Sequence, residues 1–135
     1  MNRRIVYSII VGCLLGCLGA RGQTVVTLVP AGAVWKYFDK GTDLGATWRQ
    51  PGFDDSAWAS GPAQLGYGDG DEATVVAGGP SNARFVTTYF RRSFSVTPGT
   101  TFLGLNIRVV RDDGAVVYIN GEEVYRSNMP GGPNK

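Results

Sequence analysis

The sequence predicts an all-β protein, an antiparallel β-sandwich built as one small domain, and three observations point there. Over residues 102–110 apolar and polar side chains alternate, with Leu103, Leu105, Ile107 and Val109 on one side and Asn106 and Arg108 on the other. A period of two is that of a strand with one covered face. No segment sustains the 3.6-residue repeat of an amphipathic helix. Short apolar runs are separated by turn pairs, Pro98-Gly99, Asp112-Asp113-Gly114 and Asn120-Gly121 among them.

The first segment reads as an export signal. Arg3 and Arg4 precede an uninterrupted apolar run over 5–18, followed by the small residues Gly19, Ala20 and Gly22. The run is shorter than the roughly 20 apolar residues a membrane span needs. Cleavage after Gly22 therefore divides the chain into a signal peptide, 1–22, and a mature domain, 23–135, that begins at Gln23. A rival route is lipidation at a lipobox-like cysteine, Cys17 ahead of Cys13, which would anchor the protein to a membrane. Either way the protein is expected to be secreted or held in the cell envelope.

Removing Arg3, Arg4 and Arg21 takes the formal charge from +2 to −1. No basic face remains to recommend a nucleic-acid partner. Both cysteines lie in the leader, so the mature domain has no thiol for a disulfide or a metal. A mature chain of about 110 residues suffices for one core.

Strands are expected at Thr24–Val29, which ends at Pro30, and at Val34–Phe38. Residues 39–80, rich in Gly, Asp, Ser and Pro, read as a long surface connection pinned by Trp48, Phe53, Trp58, Leu65 and Tyr67, with one capped turn at 54–58. A strand is expected over 85–96, with Phe90, Phe94 and Val96 on the covered face, Tyr89, Arg91, Ser93 and Ser95 on the other, and Arg92 breaking the apolar side. Residues 115–119 and 122–126 should form a hairpin, because Asn120-Gly121 suits a type I′ turn. Residues 128–135 form a Pro- and Gly-rich loop after which closing strands would be expected, so the sandwich reads as incomplete at its C-terminus.

Taken in order, Trp48-Arg49, Phe53-Asp54-Asp55-Ser56-Ala57-Trp58, Gly61-Pro62-Ala63-Gln64-Leu65-Gly66-Tyr67-Gly68 and Tyr89-Phe90-Arg91-Arg92-Ser93-Phe94 resemble the galactose-binding-domain-like jelly roll of large exported bacterial proteins. Such modules accompany metallophosphoesterases and are similar to the sugar-binding domains of β-galactosidase-type glycosidases. The segment 111–121, Arg111-Asp112-Asp113-Gly114 through Asn120-Gly121, resembles the core of PA14 domains. In sugar-binding PA14 adhesins the aspartates matching Asp112 and Asp113 hold calcium, which in turn takes sugar hydroxyls.

Asp112 and Asp113 are accordingly the candidate metal ligands, hard oxygen donors of the kind calcium prefers, although calcium takes six to eight oxygens and two residues supply too few. The alternative is structural, one aspartate capping the turn while the other pairs with Arg92 or Arg111. Residues 69–72, Asp69-Gly70-Asp71-Glu72, are a second acidic cluster without EF-hand spacing, readable as a solvated loop. Trp35, Trp48, Trp58 and Tyr67 offer flat faces for sugar rings or serve as packing residues, with Trp48 and Tyr67 retained as ligand contacts.

Catalysis has little to draw on. There is no histidine and no mature cysteine, so the commonest general base, zinc ligands and thiol nucleophile are missing. Two adjacent aspartates in one turn cannot flank a glycosidic bond. The expectation is a non-enzymatic module that binds carbohydrate or a cell-surface glycan, no cofactor being required beyond an optional calcium. The rival is an accessory domain that packs against a downstream domain of the same polypeptide, a secreted hydrolase such as a metallophosphoesterase or a glycosidase.

Overall fold

The computed structural model describes residues 24–131 in full and 3–13 by their backbone. The chain is all-β; among the described residues the only helical element is a single 3-10 turn, Thr47–Arg49. The described residues form ten strands, in order: β1 Arg3–Cys13, β2 Thr24–Val29, β3 Val34–Phe38, β4 Ala59–Pro62, β5 Leu65–Tyr67, β6 Thr74–Val75, β7 Tyr89–Arg91, β8 Gly104–Val110, β9 Ala115–Ile119 and β10 Glu122–Ser127. They form a five-stranded sheet of β1, β2, β5, β6 and β8, a three-stranded sheet in the order β4-β3-β7, and the β9–β10 hairpin. Every described pair is antiparallel except β5 with β6.

The core is supplied from both larger sheets. Val29 of β2 and Leu65 of β5 are fully enclosed and meet Trp35 of β3, with Ala33, Ala63 and Val76 between them. Leu28, Tyr37, Tyr67, Phe90 and Phe102 close over this cluster. Gly61 on β4 lies so near Thr74 that a β-carbon there would stand 2.3 Å from the threonine hydroxyl. Only glycine allows that approach, and the Thr74 hydroxyl uses it to donate to the Pro62 carbonyl at 2.8 Å.

β2, β3 and β9 coincide with their expected strands, and the hairpin turn forms at Asn120 and Gly121 with φ of 52° and 89°. Three expectations need correction. Residues 39–80 are more than a surface connection, since they contain β4, β5 and β6 and supply Leu65 and Val76 to the core. Their glycines and prolines concealed strands too short to show a period. The strand expected over 85–96 is reduced to Tyr89–Arg91. It is Arg91, not Arg92, that turns inward: Tyr89 is buried and Arg91 half-buried, whereas Arg92 is exposed and donates to the Val34 carbonyl. Along β8 the alternation holds for Ile107 and Val109, both half-buried, but Leu105, and Leu103 just ahead of the strand, are exposed.

Residues 3–13 form the strand β1. β1 pairs with β8 from Val6↔Val110 to Gly12↔Gly104, with β2 from Ile9↔Val29 to Cys13↔Thr24, and with β5 at Arg3–Ile5. The expected cleavage site after Gly22 and the lipidation candidate Cys17 lie outside the described residues. No helix among the described residues is long and apolar enough to cross a membrane.

Candidate functional site

The motif residues around Trp48 and Phe53 are brought together by one cation. Arg91 Nε donates to Asp55 Oδ2 at 2.8 Å, while its Nη1 donates to the carbonyls of Trp48 and Gln50. Its guanidinium also lies 5.2 Å from the centre of the Phe53 ring. Asp54 shapes the neighbouring turn by accepting the Ser56 N–H at 2.9 Å, a bond that lowers the Asp54 pKa, and the Trp58 N–H reaches the Asp55 carbonyl at 3.0 Å. A line of rings follows from Phe53 to Trp58 to Phe38 to Tyr89 to Trp48 to Tyr118, with successive centroids 5.0 to 6.4 Å apart. Such tilted and edge-to-face contacts fix each ring against the next.

Trp35 and Trp58 are buried and belong to packing. Trp48 is half-buried, edge-on to Tyr118 at an interplanar angle of 89°. Tyr67 is half-buried and already engaged: Gly78 packs against its ring and Arg84 stacks 5.1 Å from its centroid.

Asp112 and Asp113 form the corner between β8 and β9, joined by a cis peptide. The structural alternative placed one of them against Arg92 or Arg111. Arg111 donates to the Asp113 backbone carbonyl at 2.7 Å, which also accepts from Asn128 Nδ2 at 2.9 Å, and Arg92 donates to the Val34 carbonyl. Gly114 beside them admits no side chain, because a β-carbon would lie 2.5 Å from the Asn128 carbonyl. The corner is thus clamped from the 128–129 segment while both aspartates stay half-buried.

Burial, then the Asp113 carboxyl by hydrogen bond and by charge, then the charge of Asp69, push the Asp112 carboxyl above its ordinary value. This last influence was not legible in the sequence: it brings the 69–72 loop within electrostatic reach of the 112–113 corner. In that loop one carboxylate oxygen from each of Asp69, Asp71 and Glu72 lies within 4.8 Å of the other two. Glu72 also closes the loop, accepting the N–H groups of Asp69 and Gly70 at 2.9 Å each, and Asp71 accepts from Gln64 at 3.2 Å.

Trp48, Tyr67, Asp112 and Asp113 all line one open cleft of about 1170 Å³. Its remaining walls include Phe90, Phe102 and Val117, so the surface is apolar with a few polar groups directed into it, the usual composition of a small-molecule site. Arg49, Gln50, Tyr118 and Asn120 also line it and were not singled out as ligand contacts from sequence. Arg49 stood within the Trp48-Arg49 motif, but nothing in its neighbours signals that it faces a cleft. No family model, curated protein or solved structure matches the chain.

Proposed function

We propose that the chain is a non-catalytic, carbohydrate-binding-like module of an exported protein, a jelly-roll β-sandwich of the galactose-binding-like kind that takes a glycan in the cleft. The observation that carries this is the convergence of Trp48, Tyr67, Asp112 and Asp113 on one concave surface, although they come from three separate stretches of sequence. Trp48 supplies an apolar ring wall, and Tyr67 contributes the part of its ring not already in contact with Gly78 and Arg84. Asp112 and Asp113 accept sugar hydroxyls directly or through a calcium ion. A cation suits this corner because it relieves the repulsion among Asp112, Asp113 and Asp69, which adds to the larger effect of burial in raising the Asp112 pKa.

The sign of that repulsion makes the proposal testable. A carboxyl whose folded pKa is raised opposes folding while it is charged, and the opposition is relieved as pH falls through the folded value. At neutral pH, Asp112→Asn should therefore raise the melting temperature in EDTA. Calcium should raise that of the wild-type chain and leave the variant unmoved. Calorimetric titration with galactose oligosaccharides, with and without calcium, reads ligand binding itself. Absence of any glycan binding in either condition overturns the proposal.

A second role, packing against a hydrolase domain of the same polypeptide, is favoured by exposed apolar side chains. Val86 is 88% exposed, Val75 69% and Leu103 57%. Such residues suit an interdomain contact. A module with only this role binds no glycan.

A further inference from the structure

We infer that the cleft is selective for an acidic glycan, with Arg49 receiving the carboxylate of a uronate sugar; this rests on the reading of the cleft as a glycan site.

One donor of Arg49 has no polar partner among the described residues. Its Nε is buried and finds no hydrogen-bond acceptor among the described residues. A buried donor of a charged group that meets no acceptor is costly to keep, and native proteins seldom retain one without a use. The guanidinium is fixed by stacking, 4.8 Å from the centre of the Tyr118 ring, and that ring is braced edge-on by Trp48 at 5.7 Å.

The neighbouring cations are committed elsewhere. Arg91 is taken by Asp55 at 2.8 Å, and Arg126 by Glu123 through two bonds of 2.7 and 2.5 Å. Glu123 is near enough to feel the Arg49 charge, but Arg126 holds both of its oxygens. The positive charge of Arg49 therefore reaches the cleft wall with no dedicated counterion among the described residues.

A planar guanidinium with free donors recognises a carboxylate by paired hydrogen bonds, which an ammonium group cannot imitate. Beside it, Gln50 sets its amide against the Asn120-Gly121 turn, 3.0 to 3.3 Å from where a β-carbon on Gly121 would stand. That amide and Asn120 line the same cleft and can exchange hydrogen bonds with hydroxyl groups. Asp112 and Asp113 share the cleft and disfavour a ligand that is anionic throughout. A sugar with one carboxylate and several hydroxyl groups satisfies both kinds of wall.

The test is calorimetric titration of the full chain with a galacturonate oligosaccharide and with the neutral galactose oligosaccharide of the same length, in calcium and in EDTA. The acidic probe should bind at least about tenfold more tightly, with a preference that weakens as salt is raised. Arg49→Met keeps much of the apolar packing on Tyr118 and should bring the ratio of the two affinities to about one. Arg49→Lys keeps the charge without the planar fork and should retain only part of the preference. Circular dichroism confirms that both variants are folded. Equal binding of the two probes by the wild-type chain, or a preference that survives Arg49→Met, overturns this inference and leaves the glycan reading standing. Binding of neither probe overturns both.

Discussion

Single residues carry more structural weight here than their chemistry suggests. Arg91 looks like a surface residue in sequence, one of a pair beside Phe94, yet its side chain is only 15% exposed and that of Asp55 28%. It joins β7 to the 48–55 segment by one ion pair and two carbonyl bonds. Removing one member of a largely buried pair leaves the other charge uncompensated, so Arg91→Ala should destabilise the chain by about 2–4 kcal/mol. Asp55→Ala should cost less, because two acceptors of Arg91 remain. Urea unfolding of both single variants and the double variant measures their coupling. Additive losses, with no coupling energy, would show that the Arg91–Asp55 pair does not act as a unit. The motif order around Trp48, Phe53 and Tyr89 thus has a structural explanation. Its aromatic residues form a ring-to-ring chain and its arginine ties the loop to the sheet.

At the scale of elements, the β9–β10 hairpin is locally specified. Asn120 and Gly121 supply the positive φ values of the turn, and Ile119↔Glu122 begins the register. An irregularity between Glu123 and Tyr125 follows, and Arg126 clasps Glu123 across it. That clasp lowers the Glu123 pKa and raises that of Arg126. A carboxylate with a lowered folded pKa contributes stability that is present above the ordinary carboxylate range and is lost as pH falls through its folded value. Hydrogen-exchange protection of β9 and β10 should therefore exceed that of Glu123→Gln at neutral pH, and the difference should vanish on acidification. An equal difference at both ends of the range would show that Glu123 acts by packing rather than by charge. β8 illustrates the opposite case. Its alternation was plain in sequence, yet only Ile107 and Val109 gained cover, because a strand's apolar face is buried only where a second layer reaches it.

For the whole molecule, β1 sets the terms. It lies between β2 and β8 from Ile9 to Gly12, so the proposed cleavage after Gly22 removes the strand that joins them. The two facing edges then lose their ladder partner, with Val25, Val26, Leu103, Leu105 and Val110 already exposed nearby. Unpaired apolar edges invite pairing with another chain. A chain beginning at Gln23 should therefore self-associate in sedimentation experiments and unfold at lower urea concentration than the full-length chain. A monomeric 23–135 with an unchanged midpoint would show that β1 contributes nothing to the fold. The mass of the N-terminus of the chain isolated from its host decides directly whether β1 is retained.

By itself the sequence determined what depends on neighbours along the chain: the all-β class, the β2, β3 and β9 strands, and the Asn120-Gly121 turn. Turn dihedrals and a two-residue period are local properties, readable wherever a run is long enough to repeat. Only tertiary structure decided that Arg91 faces inward, that Leu65 is core rather than a loop pin, that residues 69–72 stand near Asp112, and that Arg49 opens onto the cleft. Those outcomes depend on which sheet covers which face and on charges distant in sequence acting through space, and no local pattern encodes either.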